Sequence, residues 1–242
     1  MGRREVTRLT TFAVSLLAAV VVVVVGTRYL ATDSEPVQRF ETVPLSATPN
    51  HVAVIGDSYT AGFENTGRGP ANWTEQAWRT LARRGMPISA DVAAEGGAGY
   101  GVRGNHGSLF SDLAARAVQP DDALVVFFGS RNDQDVDPGQ LTANVVDTLG
   151  LARRVAPSAR LLVIGPPWPT ADVPPSVLWI RDMLSAQAIA AGGEFVDPLA
   201  ARWFVDRPEL IGPDGVHPTD AGQTYMAEKI APLISTELPK RA

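Results

Sequence analysis

The sequence contains no cysteine. That excludes a disulfide scaffold, a thiolate nucleophile, a cysteine-ligated zinc, an iron–sulfur cluster and a lipid attached through cysteine. It leaves the redox compartment open and is compatible with an oxidising one. Positive charge is also scarce: 21 Lys and Arg stand against 26 Asp and Glu. Arg3, Arg4, Arg8 and Arg28, with Glu5 as the one acid, fall in residues 1–28, so the rest of the chain has 17 basic and 25 acidic residues, a charge of −8. An acidic body argues against nucleic acid as a partner, because neutralising phosphates needs a basic face. Histidine occurs only three times, at scattered positions, which gives a three-histidine metal site little material. What is present is apolar: 45% of 242 residues, enough for one domain with a buried core and too much for a disordered chain.

Residues 9–25 form a 17-residue stretch without charge, ending in the valine run 20–25. At ~1.5 Å per residue it just reaches across a thin hydrocarbon layer. Three arginines precede it, so the positive-inside bias places the N-terminus in the cytoplasm and the body outside. We expect residues 1–8 to be a cytoplasmic basic tail and 9–26 a transmembrane anchor. The alternative is a signal segment, cleaved to release a secreted protein; no clear small-residue cleavage site follows the valines. Residues 27–49 hold three prolines and several Ser and Thr between 32 and 49, and are expected to be an extended linker.

The body, residues 50–242, alternates apolar runs with helical patterns. Strands are expected at 51–56, 88–94, 123–128, 160–165 and 194–197, the strongest of them near-continuous apolar runs stopped by Gly or Pro, as suits strands covered on both faces. Helical patterns fall at about 71–84, 108–118, 138–156, 175–191 and 219–236. Pro138, Pro175 and Thr219-Asp220 supply start signals. This alternation predicts a parallel sheet of about five strands between two helical layers, with functional residues at the carboxyl ends of the strands.

Four blocks fall at those ends. Gly56-Asp57-Ser58-Tyr59-Thr60-Ala61-Gly62 follows the first strand. A serine at a strand-to-helix turn can point its hydroxyl into the cleft, or can simply cap the helix. The block is neither a G-x-S-x-G elbow nor a phosphate-binding loop. Glu95-Gly96-Gly97-Ala98-Gly99-Tyr100-Gly101 follows the second strand, where backbone N–H groups can approach a ligand or the glycines can merely turn the chain. Gly129-Ser130-Arg131-Asn132-Asp133 follows the third. Its Asn132 can donate to a developing oxyanion or form an Asx turn. The acids Asp133, Asp135 and Asp137 do not make a calcium loop, since Pro138 and Asn144 stand where Gly and Glu are needed. The fourth block, Asp214-Gly215-Val216-His217-Pro218-Thr219, precedes the last helix. His217 can accept a proton at neutral pH, and Asp214 can fix its tautomer.

These four blocks, in this order and approximate spacing, resemble the SGNH (GDSL-type) hydrolase family over roughly residues 50–237. The resemblance implies a three-layer α/β/α sandwich of the flavodoxin-like SGNH type. It implies Ser58 as nucleophile, His217 as base and Asp214 as the orienting acid. The oxyanion hole would be the Ser58 N–H, a glycine N–H of the second block and the Asn132 side chain. Spacing selects Gly99, with Gly97 as the competitor. Ala94 stands where the family places Asn, and Ser130-Arg131 lengthen the third block by one residue: either the strand ends a residue late, or Arg131 has a special place near the substrate.

The implied activity is serine-dependent cleavage of carboxylic esters through an acyl-enzyme, without metal or cofactor. The substrate would be a small-molecule, glycan or lipid ester, such as an O-acetyl group on cell-envelope carbohydrate. Tyr59, Phe63, Trp73, Trp78 and the Pro166–Pro169 segment are candidates either for contacts at the mouth or for packing. Two other classes stand beside this one. A catalytically silent member of the fold could bind glycan or protein at the cell surface. A metal-dependent phosphoesterase would use Asp57, Asp133 and Asp214.

Overall fold

Six strands form one sheet in the order β1-β3-β2-β4-β5-β6. The computed structural model describes residues 38–41 and 48–239. The strands are β1 (Gln38–Glu41), β2 (Asn50–Gly56), β3 (Ile88–Ala94), β4 (Leu124–Phe128), β5 (Arg160–Ile164) and β6 (Glu194–Val196). The helices are α1 (Ser58–Ala61), α2 (Trp73–Arg83), α3 (Phe110–Ala117), α4 (Pro138–Val155), α5 (Pro175–Ala190) and α6 (Asp220–Glu237). All described residues belong to a single compact unit.

Strands β2 to β6 are parallel to one another, as the strand–helix alternation requires. Their side chains are split between the two faces by the two-residue period. Val52, Val54, Leu124, Val126 and Phe128 pack with Trp73 and Trp78 of α2 and Met226, Ile230 and Ile234 of α6. Ala53, Ile55, Val125 and Phe127 pack with Phe110 and Leu113 of α3, Leu149 of α4 and Ile180 and Leu184 of α5. Residues 52–55 are each fully buried, which is why β2 shows no polar alternation. Helix starts are those the sequence signals: Thr219 accepts the N–H of Gly222 at the head of α6, and Pro138 opens α4 behind the Asp137 cap.

The register aligns the carboxyl ends. Gly56 pairs with Ala94 on one side and Phe128 on the other, Phe128 with Ile164, and Ile164 with Val196. From β2 the chain crosses to β3 on one side and later returns to β4 on the other. That reversal opens a crevice beyond the end of β2, where open α/β sheets bind ligands.

Within the expected 27–49 linker, β1 adds a sixth, antiparallel strand on the edge of β3, with Gln38 opposite Val92 and Glu41 opposite Ser89. The edge of β3 offers a row of backbone donors and acceptors, and a polar segment suffices to cover it. The expected basic tail and transmembrane anchor, residues 1–26, lie outside the described residues. Among the described residues no helix is long and apolar enough to cross a membrane.

Candidate active site

Ser58 is the first residue of α1, immediately beyond β2. The turn is tight: a Cβ on Gly56 would lie 2.3 Å from the Thr60 Oγ1 atom. Asp57 caps the helix by accepting the Tyr59 N–H at 2.9 Å. Its other oxygen is buried without a partner, against Gly129, where a Cβ would stand 2.8 Å away. Burial pushes the Asp57 carboxyl up to about 7, opposed by the Tyr59 N–H and by Arg131.

His217 reaches the same point from the far end of the chain. Its Nε2 lies 3.0 Å from the Ser58 Oγ, and its Nδ1 lies 2.6 Å from the Asp214 Oδ2. The turn carrying it is closed by Gly212 N–H donating to the His217 carbonyl at 2.7 Å, and the Tyr59 hydroxyl donates to the Val216 carbonyl at 2.5 Å. Asp214 also accepts the N–H groups of Val216 and His217 at 2.9 and 3.0 Å. Burial pushes its carboxyl up, but the hydrogen bonds from the His217 side chain and those two N–H groups outweigh this and hold it at about 2. An ionised Asp214 accepts from Nδ1, so the proton sits there and Nε2 presents its lone pair to the Ser58 hydroxyl.

The glycine-rich loop is held by two carboxylates. Asp133 accepts the N–H groups of Tyr100, Gly101 and Val102 at 3.0, 2.8 and 3.1 Å. Glu95, fully buried, accepts those of His106 and Ser108 at 2.6 and 3.2 Å. Nothing in the residue pattern beyond an acid opening a glycine run pointed to this use of Glu95. Burial raises the Asp133 carboxyl, with the three N–H groups and the Ser130 hydroxyl opposing.

The choice of Gly99 as an oxyanion donor does not fit this loop. Its N–H donates to the Val102 carbonyl at 2.9 Å, and a Cβ there would lie 2.4 Å from the Asp133 Oδ1. The competitor Gly97, in the left-handed region at φ +78°, lines the cavity with Ser58, Asn132 and His217 instead. The cavity measures about 480 Å³. Asn132 is fixed through one amide hydrogen, donated to the Ala98 carbonyl at 2.8 Å, and through its backbone N–H, donated to the Ser130 Oγ at 3.0 Å. The amide's second hydrogen remains for a ligand.

The one-residue lengthening of the third block is not a late strand end, since β4 stops at Phe128 as expected. Gly129 N–H donates to the Ile164 carbonyl at 3.1 Å, the closing bond of the Phe128–Ile164 pair. Arg131 lines the cavity, with its guanidinium 4.1 Å from the Trp168 ring centroid. Of the other aromatics, Tyr59, Trp73 and Trp78 are core residues, while Phe63, 36% exposed, stands in the cavity wall. The carboxylates of the phosphoesterase reading serve apart, Asp57 as a cap, Asp133 in the loop and Asp214 on His217. Among the described residues no group of three or more His, Asp or Glu is placed to hold a metal.

A serine, imidazole and carboxylate in hydrogen-bond sequence at the carboxyl edge of a parallel sheet define an α/β/α protein with the constellation of a hydrolase. Residues 54–225 match the GDSL-like lipase/acylhydrolase family, and the chain belongs to it. It is 68% identical over 204 residues to the Mycobacterium tuberculosis protein named GDSL lipase Rv0518, covering 83% of this chain and 88% of that one. Among solved structures it resembles TesA, with a TM-score of 0.60 at 23% identity over 78% of this chain and 100% of that one. It also resembles a family two carbohydrate esterase from Clostridium thermocellum in complex with cellohexaose, with a TM-score of 0.61 at 19% identity over 81% and 67% of the two chains. The two structures share its fold.

Proposed function

We propose that the protein is a serine esterase that works through an acyl-enzyme. The observation that carries this is the unbroken chain from the Ser58 Oγ to His217 Nε2 at 3.0 Å and from His217 Nδ1 to Asp214 at 2.6 Å, in the wall of an open cavity. As Ser58 attacks the ester carbonyl, His217 takes its proton, and Asp214 stabilises the imidazolium that forms. The carbonyl oxygen becomes an oxyanion facing the Ser58 N–H, the Gly97 N–H and the free hydrogen of Asn132. The imidazolium then protonates the leaving alcohol. Water, deprotonated by His217, releases the acid and restores Ser58.

The cavity supports a short acyl group on a polar alcohol. At about 480 Å³ it has the size of an ordinary small-molecule site, and Asn105, Arg131, Gln134 and Asp135 line it with hydrogen-bonding groups. A long acyl chain needs an extended apolar trough, whereas a sugar bearing O-acetyl groups needs this kind of lining. The name of the M. tuberculosis relative, a lipase, favours lipid esters as the second reading. The charge-free stretch 9–25 behind three arginines supports a membrane-tethered enzyme with the site outside. Full-length protein should hydrolyse p-nitrophenyl acetate and acetylated sugars faster than p-nitrophenyl palmitate, and Ser58→Ala should abolish turnover. Preference for palmitate would overturn the substrate class. Undiminished turnover by Ser58→Ala would overturn the mechanism.

A further inference from the structure

The polar edges of the His217 ring are held by Asp214 and Ser58, but its face is held by an apolar residue. The Phe63 ring lies flat on the imidazole, with centroids 3.7 Å apart and an interplanar angle of 4°. Phe63 is not part of any of the four blocks, and it stays 36% exposed at the cavity wall.

Its placement is fixed by a small closed turn. Phe63 N–H donates to the Thr66 carbonyl at 3.1 Å, and the Thr66 N–H and hydroxyl both return to the Phe63 carbonyl at 2.9 Å. Gly62 enters the turn at φ +82°, and a Cβ there would stand 2.5 Å from the Gly67 carbonyl oxygen. The exit is anchored twice. Gly67 N–H donates to Asp220 at the head of α6, at 2.9 Å, and Asn72 donates to the Gly67 carbonyl at 2.8 Å. Asp220 lies three residues beyond His217, so the turn carrying Phe63 is tied to the element that carries the base.

We infer that Phe63 is a positioning residue for the general base: it holds the His217 ring in the plane that aims Nε2 at Ser58, and its π-face favours the imidazolium formed during proton transfer. This rests on His217 being the base proposed above. The imidazole needs such a cover because its pair with Asp214 is not buried: the two side chains keep 19% and 36% of their exposure. A flat aromatic neighbour limits rotation about the ring's last torsion and replaces water on that face. It also attracts the cationic form in preference to the neutral one. The other titratable or charged groups about the ring are Asp214 on its own turn, Tyr59 bonded to Val216, Arg131 and Asp135 in the cavity wall, and Glu64 beside Phe63. Substituting Phe63 leaves all of them in place.

The test is the full pH–rate profile of p-nitrophenyl acetate hydrolysis by the full chain, for wild type, Phe63→Leu, Phe63→Trp and His217→Asn. Leucine keeps an apolar cover and removes the π-face. Phe63→Leu should lower kcat by about three- to thirtyfold with KM changed less than about twofold, and move the acid limb to lower pH. Phe63→Trp should restore both. An unchanged kcat and acid limb in Phe63→Leu, or a loss carried by KM alone, overturns the assignment. If His217→Asn keeps wild-type activity, the underlying reading of the base fails as well; if it is inactive while Phe63→Leu is unchanged, only the role of Phe63 fails.

Discussion

Asp57→Asn isolates the residue that precedes the nucleophile. Asp57 is 1% exposed, has one oxygen on the Tyr59 N–H and the other without a partner. Burial moves its carboxyl from an ordinary 3.8 to about 7 in the folded protein. The folded state therefore binds this proton more tightly than the unfolded chain does. The stability linked to it is complete below about pH 4 and is lost as pH rises to about 7, because the native state must then hold a buried charge. At about 1.4 kcal/mol per pH unit over that window, the loss comes to about 4 kcal/mol. Asparagine keeps the oxygen for Tyr59 and never ionises. It places an amide where the unpaired oxygen was, a pH-independent cost of about 1–3 kcal/mol. Urea denaturation of both proteins between pH 4 and pH 8.5, with equal m-values, gives the difference directly. The variant should gain on wild type steadily across the window, by about 4 kcal/mol in all. The other shifted carboxyls are common to both proteins; Asp122, raised to about 6, Asp214, lowered to about 2, and Glu209, lowered, cancel, while Asp133, also raised, is coupled to Asp57 by charge and changes in the same direction. A difference that stays flat from pH 4 to pH 8.5 would refute the idea that Asp57 is held neutral by burial.

Two further substitutions test the oxyanion side. Asn132→Ala removes the amide that the Ala98 carbonyl fixes at 2.8 Å; kcat for p-nitrophenyl acetate should fall by about 10²–10³ with KM nearly unchanged. Gly99→Ala should act on the fold, since its Cβ meets the Asp133 carboxylate at 2.4 Å and displaces the acceptor of three loop N–H groups. Thermal unfolding should show a loss of about 1–3 kcal/mol, and an unperturbed melting curve would contradict the description of the loop.

The parallel sheet was legible because strands buried on both faces must be written in near-continuous apolar residues, as in Leu124–Phe128, and because glycine or proline stops several of them. Ser58, Asn132, Asp214 and His217 were legible because each stands at such a strand end or turn, where a polar residue faces the crevice. The edge strand Gln38–Glu41 was hidden, since its pairing needs only backbone groups and tolerates a polar sequence. Spacing pointed to Gly99 rather than Gly97, and it misled because it does not register that the loop already directs the Gly99 N–H to the Val102 carbonyl. The stack of Phe63 on His217 joins residues remote in sequence and leaves no local pattern in either.

The most direct measurement is the intact mass of the protein after treatment with a fluorophosphonate, with the modified peptide located by fragmentation. A hydroxyl activated by His217 should take one phosphonyl group, on Ser58, and the Ser58→Ala and His217→Asn proteins should take none. An active esterase that is labelled at another residue, or not labelled at all, would contradict the assignment of Ser58 as nucleophile.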